Sequence, residues 1–368
     1  MLYKDEKVLP SLITKTKTLE AEAENWGAVV ALDTEFVRTS TYYPQPGLYQ
    51  VGYATGVSLI DPTSFDDWVA FSSYLLDPEI VKVMHSCSED LELLNHHLQL
   101  TPENIFDTQL AYAFISQNLS IGYGNLVHSL LDVQLDKQET RSNWLKRPLT
   151  SKQLFYAQAD VTYLLKVHQI LVEKLDSLNR LSWFGEEMLR VNSYTPVAPE
   201  KYYLGLRKAW RLAPENLSLL KDLCRWRELA AQKLDVPRNR VVWDEHLIAL
   251  ADVESVTRQV LVKQLPAGVV DRFGTEITSV VEAHEFSEVE PIVEPLGQRH
   301  SGTVKKMRKV AADVAEKLNL AVELLARRRD VENCARHYLE TGELSVEYQG
   351  WRNELVGQKF TDILQGLA

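Results

Sequence analysis

Two acidic residues follow a short apolar run near the start of the chain. Asp33 and Glu35 come directly after residues 29–32, Val-Val-Ala-Leu, which predict a buried strand. Because side chains alternate along a strand, both carboxylates should project from one face, about 7 Å apart. They repel each other unless a divalent cation neutralises them, and hard oxygen ligands suit Mg²⁺ or Mn²⁺. The pair therefore indicates a metal site, with a polar turn after a strand as the alternative.

Two further acids stand where they could join the first pair. Asp90 opens a helix predicted over residues 90–98, directly after a strand predicted over 80–84. Tyr156 and Asp160 lie four positions apart in a helix predicted from Lys152 to about residue 178, which places both on one helical face. Taken alone, Asp90 could simply stabilise a helix dipole, and the spacing of Tyr156 and Asp160 could be accidental.

The conjunction of these motifs is more specific than any one of them. In this order, over about 130 residues, they resemble the three exonuclease motifs of the DEDDy 3′-to-5′ exonucleases. The similarity to the ribonuclease D family extends to the amino-acid sequence around the motifs, in residues 32–39, 41–45, 88–92, 106–109 and 141–150. Residues 220–230 are similar to the helicase-and-RNase-D C-terminal (HRDC) domain of that family.

This resemblance implies an activity and a role for each acid. The expected enzyme is a metal-dependent 3′-to-5′ exoribonuclease that uses two divalent cations, Mg²⁺ or Mn²⁺, releases 5′-mononucleotides and trims tRNA precursors. Asp33 would bridge both ions, and Glu35 and Asp160 would complete the site of the water-activating ion. Asp90 would support the second ion, and Tyr156 would orient the attacking water. The alternatives are a DNA exonuclease of the proofreading or helicase-associated type and a non-catalytic RNA-binding protein.

Residues close to these motifs are candidates for contact with the substrate. They are Thr34, Phe36, His85, Arg141, Trp144 and Arg147. Phe36 could stack on the terminal base, and the basic stretch around Trp144 could lie along phosphates. The alternatives are a core aromatic for Phe36, a structural histidine for His85 and a solvated loop for the basic stretch.

The strands and helices predicted around these residues indicate an α/β domain. Strands are expected over 29–32, 48–54, 56–60, 80–84 and 105–106, and Asp107 is expected to cap the next helix. Thr150 and Gln153 form a capping box for the Tyr156 helix. Beyond residue 196 the pattern is helical, and residues around 234 and 318 resemble each other at an offset of about 84.

The predicted fold is an RNase H-like α/β exonuclease domain with a mixed sheet, followed by two small all-α helical domains. The expected boundaries are 1–205 for the exonuclease domain, 206–288 for the first HRDC-type domain and 298–368 for a second, divergent one. An acidic linker over 286–297 separates the last two.

Charge and cysteine content limit the possible classes. The net charge of −11 lies wholly in residues 1–200, which carry 15 Lys+Arg and 26 Asp+Glu, whereas the remainder carries 25 of each. This asymmetry fits an acidic metal-dependent domain joined to a more basic module. The three cysteines are too far apart for a zinc finger and are expected to be buried and free. The sequence shows neither an apolar membrane span nor a secretory signal, so a cytoplasmic protein is expected, with its oligomeric state open.

Overall fold

The computed structural model describes residues 10–64, 67–135, 142–253 and 255–366. The chain forms two compact units. The first comprises the described parts of residues 1–37, 46–194 and 296–368, and the second comprises 38–45 and 195–295. Each unit combines segments that are separate in the sequence, so the units do not correspond one to one with the predicted domains. The predicted domain boundaries stay predictions.

The first unit is built around a six-stranded mixed sheet. In the described part of the chain the order is β1-β4-β3-β2-β5-β6. β1 is parallel to β4, β2 to β5 and β5 to β6, whereas β3 and β4 are antiparallel, so the predicted mixed sheet is confirmed. The strands are β1 (Leu12–Ile13), β2 (Val29–Val37), β3 (Gln45–Tyr53), β4 (Gly56–Ile60), β5 (Val81–Met84) and β6 (Ile105–Asp107). β1 was not predicted from the sequence, because two residues are too few to show the alternating pattern of a strand.

Helices cover this sheet. They are α1 (Thr16–Ala23), α2 (Val69–Leu76), α3 (Ser88–Leu98), α4 (Thr108–Ala113), α5 (Tyr123–Leu131), α6 (Ser151–Thr162), α7 (Leu164–Ser177) and α8 (Leu181–Asn192). The single helix predicted from Lys152 to residue 178 is divided at Tyr163. Immediately before the break, the Thr162 hydroxyl donates to the Gln158 carbonyl oxygen, a side-chain bond that bends helices.

The remaining helices confirm the 84-residue repeat. They are α9 (Pro214–Leu234), α10 (Arg238–Val241), α11 (Asp244–Ala251), α12 (Arg258–Gln264), α13 (Ala267–Glu282), α14 (Gln298–Leu318), α15 (Val322–Ala326), α16 (Arg328–Thr341) and α17 (Gln358–Gln365). α9 and α14 are both 21 residues long, and α10 and α11 begin 84 positions before α15 and α16. Asp235 and Asn319, also 84 apart, end α9 and α14 in the left-handed conformation.

The C-terminal helices share the core of the first unit. Trp351 packs 5.3 Å from Phe114 between ring centroids and belongs to the same apolar cluster as the sheet. Arg352 donates to both carboxylate oxygens of Glu187 at 2.5 and 2.8 Å. Arg180 donates to the carbonyl oxygens of Phe114 and Leu318. Apolar burial thus joins α14–α17 to the core of the sheet, and the polar contacts join them to α8 and to the chain that follows α4.

In the second unit, residues 38–45 pack against α9 and α10. The buried Tyr42 hydroxyl donates to Glu228 and accepts from Arg238, both at 3.0 Å. The Asp235 carboxylate accepts from the backbone N–H groups of Tyr42 and Tyr43 at 3.0 and 3.2 Å. The segment that follows β2 is therefore held by buried polar contacts of the helical region.

Candidate active site

The structure brings three of the predicted acids together. Ligand oxygens of Asp33, Glu35 and Asp160 all lie within 4.8 Å of one another. Asp33 and Glu35 come from β2, whose alternation turns the buried Thr34 between them toward the opposite face. This donor set of hard oxygens fits a divalent cation of the Mg²⁺ or Mn²⁺ type.

Asp160 reaches the pair because α6 lies close to the sheet. The predicted capping box starts this helix: the Thr150 hydroxyl accepts from the Gln153 N–H at 3.2 Å, and the Gln153 side chain accepts from the Thr150 N–H at 3.0 Å. Further along, α6 crosses β3 at Gly52. A Cβ there would lie 2.9 Å from the Val161 carbonyl oxygen, so a side chain at residue 52 would push α6 and Asp160 away.

Asp90 lies beside this cluster, in the first turn of α3. It is buried, and its carboxylate accepts a hydrogen bond from the Thr34 hydroxyl. Burial and the charge of Asp33 hold the pKa of Asp90 well above its usual range. Asp90 therefore interacts electrostatically with the cluster without belonging to its group of three.

The electrostatics of the cluster favour a bound cation. Burial and the neighbouring Asp160 hold the pKa of Asp33 well above its usual range. Burial and the three neighbouring acids raise the pKa of Glu35 to about 10. Burial raises the pKa of Asp160 to about 7, although a hydrogen bond from Tyr156 opposes the shift. Without a cation the cluster therefore holds protons at neutral pH, and a bound cation displaces them.

Tyr156 occupies the predicted position one turn before Asp160. Its hydroxyl is hydrogen-bonded to the Asp160 carboxylate, and its ring centroid lies 6.1 Å from that of Trp144. The helical spacing thus places phenol and carboxylate together, as predicted.

Sequence reasoning missed one aromatic residue beside the acids. Tyr123, at the start of α5, donates its hydroxyl to the Ala159 carbonyl oxygen at 3.1 Å. Burial and the charges of Asp160 and Asp33 hold the pKa of Tyr123 well above its usual range. No spacing rule connects Tyr123 with Asp160, because the two belong to different helices.

Three predicted substrate residues lie near the acids with different freedom to contact a ligand. Thr34 is buried and its hydroxyl is engaged by Asp90. Phe36 is half-buried against the core. His85 uses both ring nitrogens within the protein, Nδ1 with Thr108 at 2.9 Å and Nε2 with the Ile121 carbonyl at 3.0 Å, and burial lowers its pKa. Of the three, Phe36 and His85 are half-buried and Thr34 is buried.

The capping role expected of Asp107 is confirmed. Its carboxylate accepts from the N–H groups of Gln109 and Leu110 in the first turn of α4. It also accepts from the N–H groups of Ser86 and Cys87 at 3.2 and 3.0 Å. Asp107 thus fixes the chain between β5 and α3, just ahead of Asp90.

Of the other three predicted contacts, the structure describes Trp144 and Arg147. Arg141 lies outside the described residues. Trp144 is 1% exposed and packs in an apolar cluster, so its ring cannot stack on a base without rearrangement. Arg147 donates to both carboxylate oxygens of Asp61 at 2.6 and 2.5 Å, and to the carbonyl oxygens of Gly47 and Trp144 at 2.8 and 2.7 Å. The positions of Trp144 and Arg147 therefore indicate structural roles instead of the predicted substrate contacts.

The Arg147–Asp61 pair should make stability depend on pH. Burial alone would raise the pKa of Asp61, but hydrogen bonds from Arg147 and Thr63 lower it from 3.8 to about 2. A lowered carboxyl pKa stabilises the fold above the unfolded value, and this contribution is lost as the pH falls from about 4 to about 2. Arg147→Met should cost about 3 kcal/mol near neutral pH because it leaves a buried charge unpaired.

Urea unfolding at several pH values measures this effect. The difference between the parent and Arg147→Met should shrink on acidification, whereas the exposed neighbouring change Lys146→Met should have little effect at any pH. Equal stability of the parent and Arg147→Met near neutral pH would contradict the structural role of Arg147.

The class of protein follows from the fold and the site together with family comparisons. A family model described as a 3′-5′ exonuclease matches residues 4–176, and one described as an HRDC domain matches residues 216–281. An exonuclease domain of this type is metal-dependent, and the three clustered carboxylates fit that requirement. The mixed sheet and its acids thus define a metal-dependent 3′-to-5′ exonuclease.

Individual relatives narrow this class. Ribonuclease D from Pseudomonas paraeruginosa is 36% identical over 346 residues, which cover 91% of this chain and 92% of the relative. Ribonuclease D from Escherichia coli is 33% identical, with 91% and 92% covered. The crystal structure of E. coli RNase D, described as an exoribonuclease involved in structured RNA processing, matches with a TM-score of 0.88 and 31% identity over 97% of this chain and 99% of that one.

This chain belongs to the ribonuclease D family and is a hydrolytic 3′-to-5′ exoribonuclease with RNA as its substrate. The predicted fold, an exonuclease domain followed by HRDC-type helices, is confirmed. The three cysteines are buried and free, as expected. Among the described residues, no helix combines the length and apolar character needed to cross a bilayer.

Proposed function

We propose that this exoribonuclease trims the 3′ ends of tRNA precursors in the cytoplasm, releasing one 5′-mononucleotide at a time with two divalent cations, Mg²⁺ or Mn²⁺. The cluster of Asp33, Glu35 and Asp160, with Tyr156 bonded to Asp160, carries the proposal. The involvement of the E. coli relative in structured RNA processing supports tRNA precursors as the substrate class.

The proposal gives each acid a ligand role. Asp33, Glu35 and Asp160 would hold the first cation, and Asp33 and Asp90 the second, with Asp90 acting through water. When bound, such a pair of cations supplies activation of the attacking water and stabilisation of the leaving 3′-oxygen. Crowded, partly buried carboxylates suit this task because they are costly to ionise without a cation.

The surrounding side chains keep these groups in place. The Thr34 hydroxyl fixes the buried Asp90 carboxylate, so this acid is oriented before any ligand arrives. The Tyr156 hydroxyl, already bonded to Asp160, would orient the water that attacks the terminal phosphodiester. Phe36 would pack against the terminal base from its half-buried position.

A groove in the second unit supports binding of structured RNA. α9 and α13 line a cavity of about 660 Å³ whose lining includes the ring of Trp226 and three basic side chains, Arg225, Lys233 and Arg272, which outnumber the acidic Asp222 and Glu276. Basic side chains neutralise phosphates and aromatic rings stack on bases, so this combination suits RNA. Arg227, in the same helical segment, is buried and paired with acids, which leaves Arg225 as the exposed arginine of this pair.

Digestion of matched substrates tests the proposal. A 3′-extended tRNA transcript, an unstructured RNA and a DNA of the same sequence would be incubated with Mg²⁺ or Mn²⁺, with and without chelator. We expect 5′-mononucleotides from RNA, shortening of the transcript from its 3′ end, and complete inhibition by chelator that added Mn²⁺ reverses. Equal rates on DNA would favour the DNA exonuclease alternative. Intact RNA in every reaction would favour a binding protein.

A further inference from the structure

The side chain of Gln50 is a buried polar group with no role in the proposed reaction. It lies in the middle of β3, is 0% exposed, and neither Nε2 nor Oε1 has a hydrogen-bond partner among the described residues. Burying a carboxamide without hydrogen-bond partners costs folding free energy. The residues around Gln50 should therefore indicate which group its amide binds when the protein is functional.

Close contacts between β2 and β3 place Gln50 opposite Asp33. A Cβ at Gly52 would lie 3.2 Å from the Ala31 Cβ, and a Cβ at Gly47 would lie 3.1 Å from the Glu35 carbonyl oxygen. Residue numbers therefore rise along β2 while they fall along β3, so the two strands are antiparallel. Counted two residues from the contact between Gly52 and Ala31, Gln50 on β3 lies opposite Asp33 on β2.

The alternation of side chains puts the Gln50 amide on the face that carries the acids. Gln50 shares a face with Gly52, which contacts Val161 of α6, and Asp33 shares a face with Ala31 beside that same contact. Asp160 of α6 lies within 4.8 Å of Asp33 by their carboxylate oxygens. The amide and the acid cluster therefore lie on the same side of the sheet, beneath the same helix.

The neighbour of Gln50 on β4 is apolar. On β4 it pairs with Leu59, and Leu59 and Leu48 belong to a buried cluster with Leu154 and Ala157 of α6. Groups of this kind offer no hydrogen bond to an amide. On the β2 side, in contrast, the residue opposite Gln50 is Asp33, which carries a carboxylate. Side chains directly opposite each other on two strands lie about 5 Å apart.

We propose that Gln50 is a positioning residue for the metal cluster: its amide N–H donates to the Asp33 carboxylate when that carboxylate is ionised and holds cations. The inference rests on the proposed function, because it takes Asp33 as a metal ligand. Carboxylate ligands are commonly oriented by such outer hydrogen bonds. A neutral donor suits this position, since lysine or arginine would compete with the cation for the same carboxylate.

A rival role for Gln50 comes from the core. The buried Nε1 of Trp144, in the same apolar cluster as Leu48, also has no partner among the residues that the structure describes. A water shared by Gln50 and Trp144 would make Gln50 a purely structural residue. In that case its removal would change stability and leave the affinity for metal as it is.

Calorimetric titration of the protein with Mn²⁺ alone, without RNA, separates the two roles. Gln50→Met keeps the length of the side chain and removes its hydrogen-bonding groups. We expect its Kd for Mn²⁺ to rise by about 10- to 100-fold, with no loss of Tm in the metal-free protein because an unsatisfied amide has been removed. Gln50→Asn, which withdraws the amide by one methylene, should also weaken binding and serves if Gln50→Met does not fold.

A buried change on the opposite face provides the matched control. Ser58→Ala in β4 removes the hydroxyl that accepts from the Trp26 Nε1 at 3.1 Å, so it should lower Tm without weakening Mn²⁺ binding. A Kd of Gln50→Met within twofold of the parent value would overturn the inference. If Asp33→Asn also bound Mn²⁺ as the parent does, the proposed metal site itself would fail, which distinguishes the two failures.

Discussion

Asp33→Asn should reduce exonuclease activity by about 10³-fold or more, because ligands that act as a unit cannot be removed singly without losing most of the effect. Asp33 is the acid whose charge acts on both Glu35 and Asp90, so it is central to the arrangement. The measurement is the rate of mononucleotide release from a short RNA at saturating Mn²⁺. Asp132→Asn is the control, since that side chain is 98% exposed. Normal turnover by Asp33→Asn would contradict the site.

The same variant should change how stability responds to pH in the metal-free protein. The pKa of Glu35 is raised from 4.5 to about 10, so its protonated form stabilises the fold below about pH 4.5 and this contribution is lost as the pH rises toward 10. Asp33→Asn replaces a second carboxyl, whose pKa the fold also raises, with a group that does not titrate. The metal-free variant should therefore lose less stability than the parent between about pH 5 and pH 8, as urea unfolding would show.

Tyr156→Phe should lower the turnover rate by about 10- to 1000-fold, since positioning and proton-transfer effects are of that order. The substitution removes only the hydroxyl group. The carboxylates of the cluster remain, so the Kd for Mn²⁺ should stay close to that of the parent. Rates at saturating Mn²⁺ and RNA, together with a Mn²⁺ titration, measure both effects. The motivation is the hydrogen bond between Tyr156 and Asp160.

A second tyrosine provides the control for this substitution. Tyr112, whose exposed hydroxyl lies 3.0 Å from that of Ser129, should tolerate Tyr112→Phe without loss of rate. Unchanged turnover in Tyr156→Phe would assign Tyr156 to packing against Trp144. A large loss of Mn²⁺ affinity would instead show that the phenol acts by holding Asp160.

Local patterns determined much of this protein. The apolar run before Asp33, the capping box at Thr150 and the four-residue step from Tyr156 to Asp160 each fix a backbone conformation through neighbours in the chain. The 84-residue repeat was readable for the same reason, because the ends of α9 and α14 are set by local geometry. Such patterns predict which residues can take part in chemistry and on which element each one lies.

Tertiary structure decided which partners those residues have. From the sequence, Arg147 was predicted to contact phosphate. In the fold it pairs with Asp61, which lies 86 positions earlier in the chain. Trp144 stands in a basic stretch, yet folding buries it against Leu48. Gln50 carried no signal, because its proximity to Asp33 depends on the register of two strands. Burial and partners arise from contacts between distant segments, and periodicity within one segment contains no information about them.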